Sequence, residues 1–181
     1  YLSTHADDDF YRYCMVSYLL KNTLSENGRH DLAGRLLLQE DDPSWLYEVR
    51  VGATTVWERW DGLDENGECP IGDDGTDMMI SYNHYASGAV GAFLYRRVLG
   101  VEPTEAGYRK FKFAPVVGGG ITEAEGTVGT PYGVVKAAWE IADGEMTMTV
   151  AVPVGTECTV VLPSGEEKVL GSGKYTVTAK A

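Results

Sequence analysis

Gly52-Ala53-Thr54-Thr55-Val56-Trp57-Glu58-Arg59-Trp60-Asp61 sets one carboxylate, Glu58, between two tryptophans with an arginine beside it. Thr54, Thr55 and Val56 are β-branched and poorly suited to the middle of a helix. Glu58 is therefore expected on the first turn of a helix or in the loop just before it. Apolar neighbours raise a carboxyl pKa and a nearby cation lowers it. Two readings follow. In one, Glu58 moves protons beside aromatic rings, the arrangement that carbohydrate chemistry asks for, because sugar C–H faces pack on rings. In the other, Glu58 is a surface residue paired with Arg59 beside two core tryptophans, since structural ion pairs perturb pKa values as well.

Upstream of this block the spacing is helical. Phe10 to Ser25 is apolar over so much of its circumference that burial on several sides is expected. Gly28 suits its stop. Arg29 to Glu40 repeats Leu32, Ala33, Leu36 and Leu37 along one face. Asp41-Asp42-Pro43 ends that run, because the residue before proline avoids helical angles. The pair reads as an antiparallel helical hairpin. Ser44-Trp45-Leu46-Tyr47 is open between a short helix and an extended link.

Downstream, Asp61 to Asp77 is an acidic loop with Gly62, Gly67, Gly72, Gly75 and Pro70. Its carboxylates could hold Ca²⁺, but the spacing does not match the twelve-residue calcium loop, and a solvated rim is the plainer reading. Ser81 to Gly100 reads as a helix with Asn83 or Ser81 as N-cap and Tyr85, Ala86, Ala89, Val90, Phe93 and Leu94 inside. Gly88 and Gly91 cost helix propensity, which suggests close packing against a neighbour. Pro103 and Gly107 mark a linker.

After Gly107 the period changes from 3.6 to 2. Phe111 and Phe113 alternate with Lys110 and Lys112, and Met146, Met148, Val150 and Val152 alternate with Thr147, Thr149 and Ala151. Strands are expected over Thr122 to Gly129, Val134 to Ile141, Thr156 to Leu162, Glu166 to Leu170 and Lys174 to Ala179. Asp143-Gly144 is a two-residue hairpin signal. The expected architecture is α+β: helices over 1–107, then an antiparallel β-sandwich over 108–181.

The 181 residues carry a net charge of −12. Residues 1–107 hold 8 Lys/Arg against 19 Asp/Glu, and residues 108–181 hold 7 against 8. That balance argues against nucleic acid and anionic membranes as partners. No run approaches the roughly 18 apolar residues of a membrane helix. Tyr1 to Asp9 lacks the basic start and apolar core of a signal peptide. The absence of an initiator Met fits a piece of a longer protein. Cys14, Cys69 and Cys158 match no metal or disulfide spacing; free thiols favour a cytoplasmic location. There is no nucleophile elbow, and Gly118-Gly119-Gly120 opens no helix that could cradle a phosphate. No cofactor and no metal are expected.

Gly52 to Trp60, together with Ser81-Tyr82-Asn83-His84-Tyr85-Ala86-Ser87-Gly88-Ala89-Val90-Gly91, closely resembles the bacterial α-L-rhamnosidases, family 78 of the glycoside hydrolases. The resemblance also covers Glu26 to Ala33, Pro43-Ser44-Trp45, Pro115 to Gly120 and Thr130-Pro131-Tyr132-Gly133. It implies the C-terminal portion of a longer enzyme: the last helices of an (α/α)6 barrel over 1–107 and a C-terminal β-sandwich over 108–181. The family is inverting, and the resemblance implies that Glu58 is the general base and that His84 contacts the rhamnose; Trp57 is open between part of the same wall and a core tryptophan. The family's general acid lies in a segment with no match here. The implied partners are a rhamnose-containing glycoside and the N-terminal barrel segments of the same protein. Where the family has a glycine-rich turn after Leu-Ser-Thr, this chain has His5-Ala6-Asp7-Asp8-Asp9, which leaves the first helix start unassigned. Two other readings stand beside the enzyme. A non-catalytic module for interdomain contact or carbohydrate binding would expose several aromatics on one sandwich face, whereas Tyr132, Trp139 and Tyr175 are scattered. An inert chain would leave apolar helix faces uncovered.

Overall fold

The structure, a computed structural model, describes residues 24, 25, 27–42, 44–69, 71, 75, 76 and 79–181. The helix expected over Phe10 to Ser25 therefore lies almost wholly outside the described residues, as do His5, Cys14, Pro43, Pro70, Asp73, Asp74 and Asp77. The chain divides after Gly91 into two compact units.

In the first unit, Leu24 and Ser25 are helical and buried. The turn closes as Arg29 N–H donates to Leu24 O (2.7 Å) and Gly28 N–H to Ser25 O (3.1 Å), the bond pair of a helix ending in a left-handed residue. Helix α1 spans His30–Leu37 and buries Leu32, Ala33 and Leu36, as the spacing requires. Helix α2 spans Trp45–Arg50, which closes the alternative left open for Ser44 to Tyr47. Ser44 is its N-cap, and its hydroxyl accepts from Tyr47 N–H (2.9 Å). Trp45, Tyr47 and Glu48 are its buried residues. It ends the same way as the turn after Leu24 and Ser25: Ala53 N–H donates to Glu48 O (2.9 Å) and Gly52 N–H to Val49 O (3.1 Å). Gly52 has φ +88° there, which a side chain would strain.

The helix expected over 81–100 is instead a series of short turns. These are α3 (Tyr85–Gly88), α4 (Val90–Phe93) and a π-helical turn over Leu94–Val98. Its N-cap is His84, with no side-chain cap bond, rather than Asn83 or Ser81. No described atom lies within 4 Å of where a Cβ on Gly88 or Gly91 would stand. The break falls at Ala89, between Gly88, the last residue of α3, and α4, which contains Gly91.

Strands begin before Gly107, with β1 at Val101–Pro103. Then follow β2 (Lys110–Phe113), β3 (Glu123–Thr130), β4 (Gly133–Ala142), β5 (Glu145–Val152), β6 (Glu157–Val161), β7 (Glu167–Leu170) and β8 (Gly173–Lys180). They form two four-stranded sheets, β1-β2-β6-β7 and β3-β4-β5-β8. The sandwich-like layout agrees with the alternation. Phe111 and Phe113 of the first sheet and Met146, Met148 and Val150 of the second share one core and are at most 1% exposed. Asp143 (φ 52°) and Gly144 (φ 78°) form the two-residue turn between β4 and β5, the paired positive φ of a type I′ hairpin. All described ladders are antiparallel except β2 with β6, which is parallel. The chain leaves the first sheet, builds β3 to β5 and returns, and so long a crossover permits a parallel neighbour.

Candidate functional site

The predicted residues Glu58 and His84 lie 26 positions apart but on two segments that the backbone laces together. Glu58 N–H donates to Ser81 O (2.8 Å), and His84 N–H donates to Val56 O (2.8 Å). The Thr55 hydroxyl donates to Tyr82 O. The Glu58 carboxylate itself accepts from Ser81 N–H through Oε2 (2.9 Å). One oxygen is thus oriented by a backbone donor while the side chain stays exposed. A carboxylate held this way keeps its other oxygen for a ligand or a water.

Arg59 does more than sit beside Glu58. Its guanidinium makes a two-pronged pair with Asp61, Nε to Oδ1 at 2.9 Å and Nη2 to Oδ2 at 2.6 Å. Such parallel bonds fix planar geometry as well as charge. The tryptophans on either side point into the unit. Trp57 is 3% exposed and Trp60 4%. Trp60 packs edge-on against Trp45 at 4.8 Å, and Trp57 meets Tyr82 edge-on at 5.5 Å. The Tyr82 hydroxyl donates to Gly62 O (2.8 Å), which ties the start of the acidic loop to the same cluster.

His84 is half-buried, and its Nδ1 is enclosed without a hydrogen-bond partner among the described residues. Its ring stacks on Tyr85, centroids 5.6 Å apart and planes 15° from parallel. Tyr85 is 85% exposed. It was expected inside the helix as one of its apolar residues; because the helix starts only at Tyr85, the ring projects outward instead.

Sequence reasoning missed Glu48. It is 3% exposed, on the buried face of α2. Oε2 accepts from Trp57 N–H (3.3 Å), and Oε1 is enclosed with no partner among the described residues. Burial pushes this carboxyl up to about 7, against the lowering effect of the Trp57 N–H. The sequence Tyr47-Glu48-Val49-Arg50 looks like part of an ordinary surface helix; the one local hint of burial is that Glu48 stands three residues after Trp45, on the same helix face.

In the acidic loop, Asp64 accepts from the Glu68 and Asn66 backbone N–H groups, both at 2.8 Å. The Glu68 N–H chiefly holds its carboxyl below the usual range. No group of three or more His, Cys, Asp or Glu among the described residues could hold a metal ion. In the second unit, a concavity of about 610 Å³ on the outer face of β3, β4 and β5 is lined by Glu123, Glu125 and Glu140 with Thr147 and Thr149. None of the predicted site residues belongs to it.

Residues 15–98 match the bacterial α-L-rhamnosidase six-hairpin glycosidase domain, and residues 100–176 match the bacterial α-L-rhamnosidase C-terminal domain. An α-L-rhamnosidase of Formosa agariphila is 39% identical over 153 residues, which is 84% of this chain and 16% of that protein. One of Streptomyces avermitilis is 39% identical over 141 residues, 78% of this chain and 13% of the relative. The crystal structure of native α-L-rhamnosidase from Aspergillus terreus superimposes with a TM-score of 0.79 at 37% identity, covering 90% of this chain and 18% of that one. The S. avermitilis enzyme complexed with L-rhamnose gives a TM-score of 0.78 at 33% identity, covering 91% and 17%. The chain thus spans less than a fifth of the length of each of these proteins.

Proposed function

The chain belongs to the bacterial α-L-rhamnosidase family, and from that membership we propose that the protein carrying it hydrolyses terminal α-L-rhamnose from glycosides with inversion at the anomeric carbon. Glu58 is the general base, and His84 binds the sugar. Trp57 supports the same wall from behind, through Tyr82. The observation that carries this reading is the Glu58 carboxylate, exposed yet oriented by the Ser81 N–H, on the segment laced to His84.

In an inverting glycosidase the base activates a water opposite the leaving oxygen, and the acid carboxyl stands about 6.5–9.5 Å away. The acid is expected from a part of the barrel that this chain does not match. Those barrel segments and a rhamnose-containing glycoside are the proposed partners. The exposed Tyr85 ring beside His84 offers the apolar face that a sugar's C–H groups seek.

The test is hydrolysis of an aryl α-L-rhamnoside by the natural-length gene product, followed by NMR of the first sugar released. Glu58→Gln is expected to lower turnover by about 10²–10⁴. The sugar is expected to appear first as the β anomer. An α product would overturn inversion, and an unimpaired Glu58→Gln variant would overturn the base.

A further inference from the structure

We propose that Glu48 is the positioning residue for Glu58: its buried carboxyl holds the Trp57 backbone N–H and so sets the direction in which the next side chain leaves the main chain. This inference rests on the reading of Glu58 as general base.

The geometry is a two-point clamp from one residue. The Glu48 carbonyl accepts from Ala53 N–H at 2.9 Å, and its Oε2 accepts from Trp57 N–H at 3.3 Å. The turn from Ala53 to Trp57 is therefore closed at both ends by Glu48, and Glu58 is the first residue after it. The far side of the same turn is bonded to the 81–84 segment through Val56 O and Glu58 N–H. Loops of this kind otherwise move readily, and a base misplaced by about 1 Å can cost two orders of magnitude in rate.

Packing alone does not ask for a carboxyl here. Glu48 lies between the buried Trp45 and Tyr47 faces of α2, is 3% exposed, and leaves Oε1 without a partner among the described residues. Burying such a group is costly, and an apolar side chain of similar size would pack without that cost. What only a hydrogen-bond acceptor can do at this place is satisfy and aim the Trp57 N–H. Burial also raises the carboxyl toward neutrality, so the group spends much of its time uncharged and a carboxamide is a close substitute.

The experiment uses the natural-length gene product with Glu48→Gln, Glu48→Asp and Glu48→Leu beside Glu58→Gln, assayed on an aryl α-L-rhamnoside. Glu48→Gln keeps the acceptor and is expected to hold kcat within about threefold. Glu48→Asp retracts the acceptor by one methylene, and Glu48→Leu removes it. Each is expected to lower kcat by roughly 10–10² while KM stays within about twofold. Near-UV circular dichroism checks folding, and if Glu48→Leu does not fold, Glu48→Asp decides. Wild-type kcat in folded Glu48→Asp or Glu48→Leu overturns the proposal, as does a Glu48→Gln variant that falls as far as Glu48→Asp. If Glu58→Gln collapses while Glu48→Asp keeps wild-type kcat, the base stands and only the positioning role falls. If Glu58→Gln turns over normally, both fall.

Discussion

Glycines Gly52 and Gly100 show how much a single residue's surroundings decide. Both have positive φ, +88° and +83°. Nothing lies within 4 Å of a Cβ placed on Gly52, whereas one on Gly100 would stand 2.2 Å from Pro115 N. Gly52→Ala is therefore expected to cost about 1–2 kcal/mol of backbone strain, and Gly100→Ala distinctly more, because the Ala114–Pro115 backbone must move. Urea denaturation of the two variants checks the order; equal losses would contradict it. Glu48 carries a pH signature at the same scale. Its folded pKa of about 7 lies above its ordinary value of 4.5. Proton uptake then favours the folded form: its contribution is fully present below 4.5 and is lost as pH rises through 7. Across that window wild type is expected to lose up to about 3 kcal/mol relative to Glu48→Gln. Denaturation of both at pH 5 and pH 8 measures it, and a difference that does not change with pH refutes it. In the local sequence Glu58 stands out as a carboxylate between two tryptophans, whereas His84 enters only through the family resemblance, because a histidine before a helix is by itself an ordinary cap or packing residue. Glu48 and Tyr85 were not legible, because their burial and exposure depend on what packs across from them.

Among the elements, β4 is the best test of the sheet. Trp139 is 2% exposed, and its Nε1–H donates to Val98 O at 2.8 Å. Trp139→Phe keeps most of the ring and removes that donor, so a loss of roughly 1–3 kcal/mol is expected, read from thermal unfolding. On the outer face of the same strand, Glu140 stands directly opposite Glu123 of β3. Like charges in register oppose pairing, so Glu140→Lys is expected to stabilise by about 0.2–1 kcal/mol, and less at high salt. A destabilised variant would mean that the register differs. The strands themselves, and the Asp143-Gly144 turn, were legible because period and turn chemistry are local. The helix over 81–100 was over-read: its apolar content suggested one rod, while the backbone forms two short turns that break at Ala89 and a π-helical one from Leu94.

For the molecule as a whole, both units bury a core while exposing single apolar side chains, Val154 at 83% and Val169 at 63% in the second. The second has a continuous core from Leu99 through Val101, Phe111, Trp139 and Met148 to Leu162. The first exposes Val49 at 66%, Ile71 at 69%, Met79 at 100% and Tyr85 at 85%, and residues 1–107 carry most of the net charge. Residues 1–107 expressed alone are expected to self-associate despite that charge, because exposed apolar patches drive association. Sedimentation velocity checks this, and a monomer that unfolds cooperatively would refute it. By itself the sequence determined the change from helical to alternating period, the hairpin at Asp143-Gly144, the helix stop at Gly28 and the Trp-Glu block, since each depends on neighbours a few positions away. Only the tertiary structure decided that β2 pairs in parallel with β6, that Ser81 meets Glu58 and that Glu48 is buried beneath Trp57. Those are contacts between distant segments, set by where several apolar faces bury together rather than by any one of them.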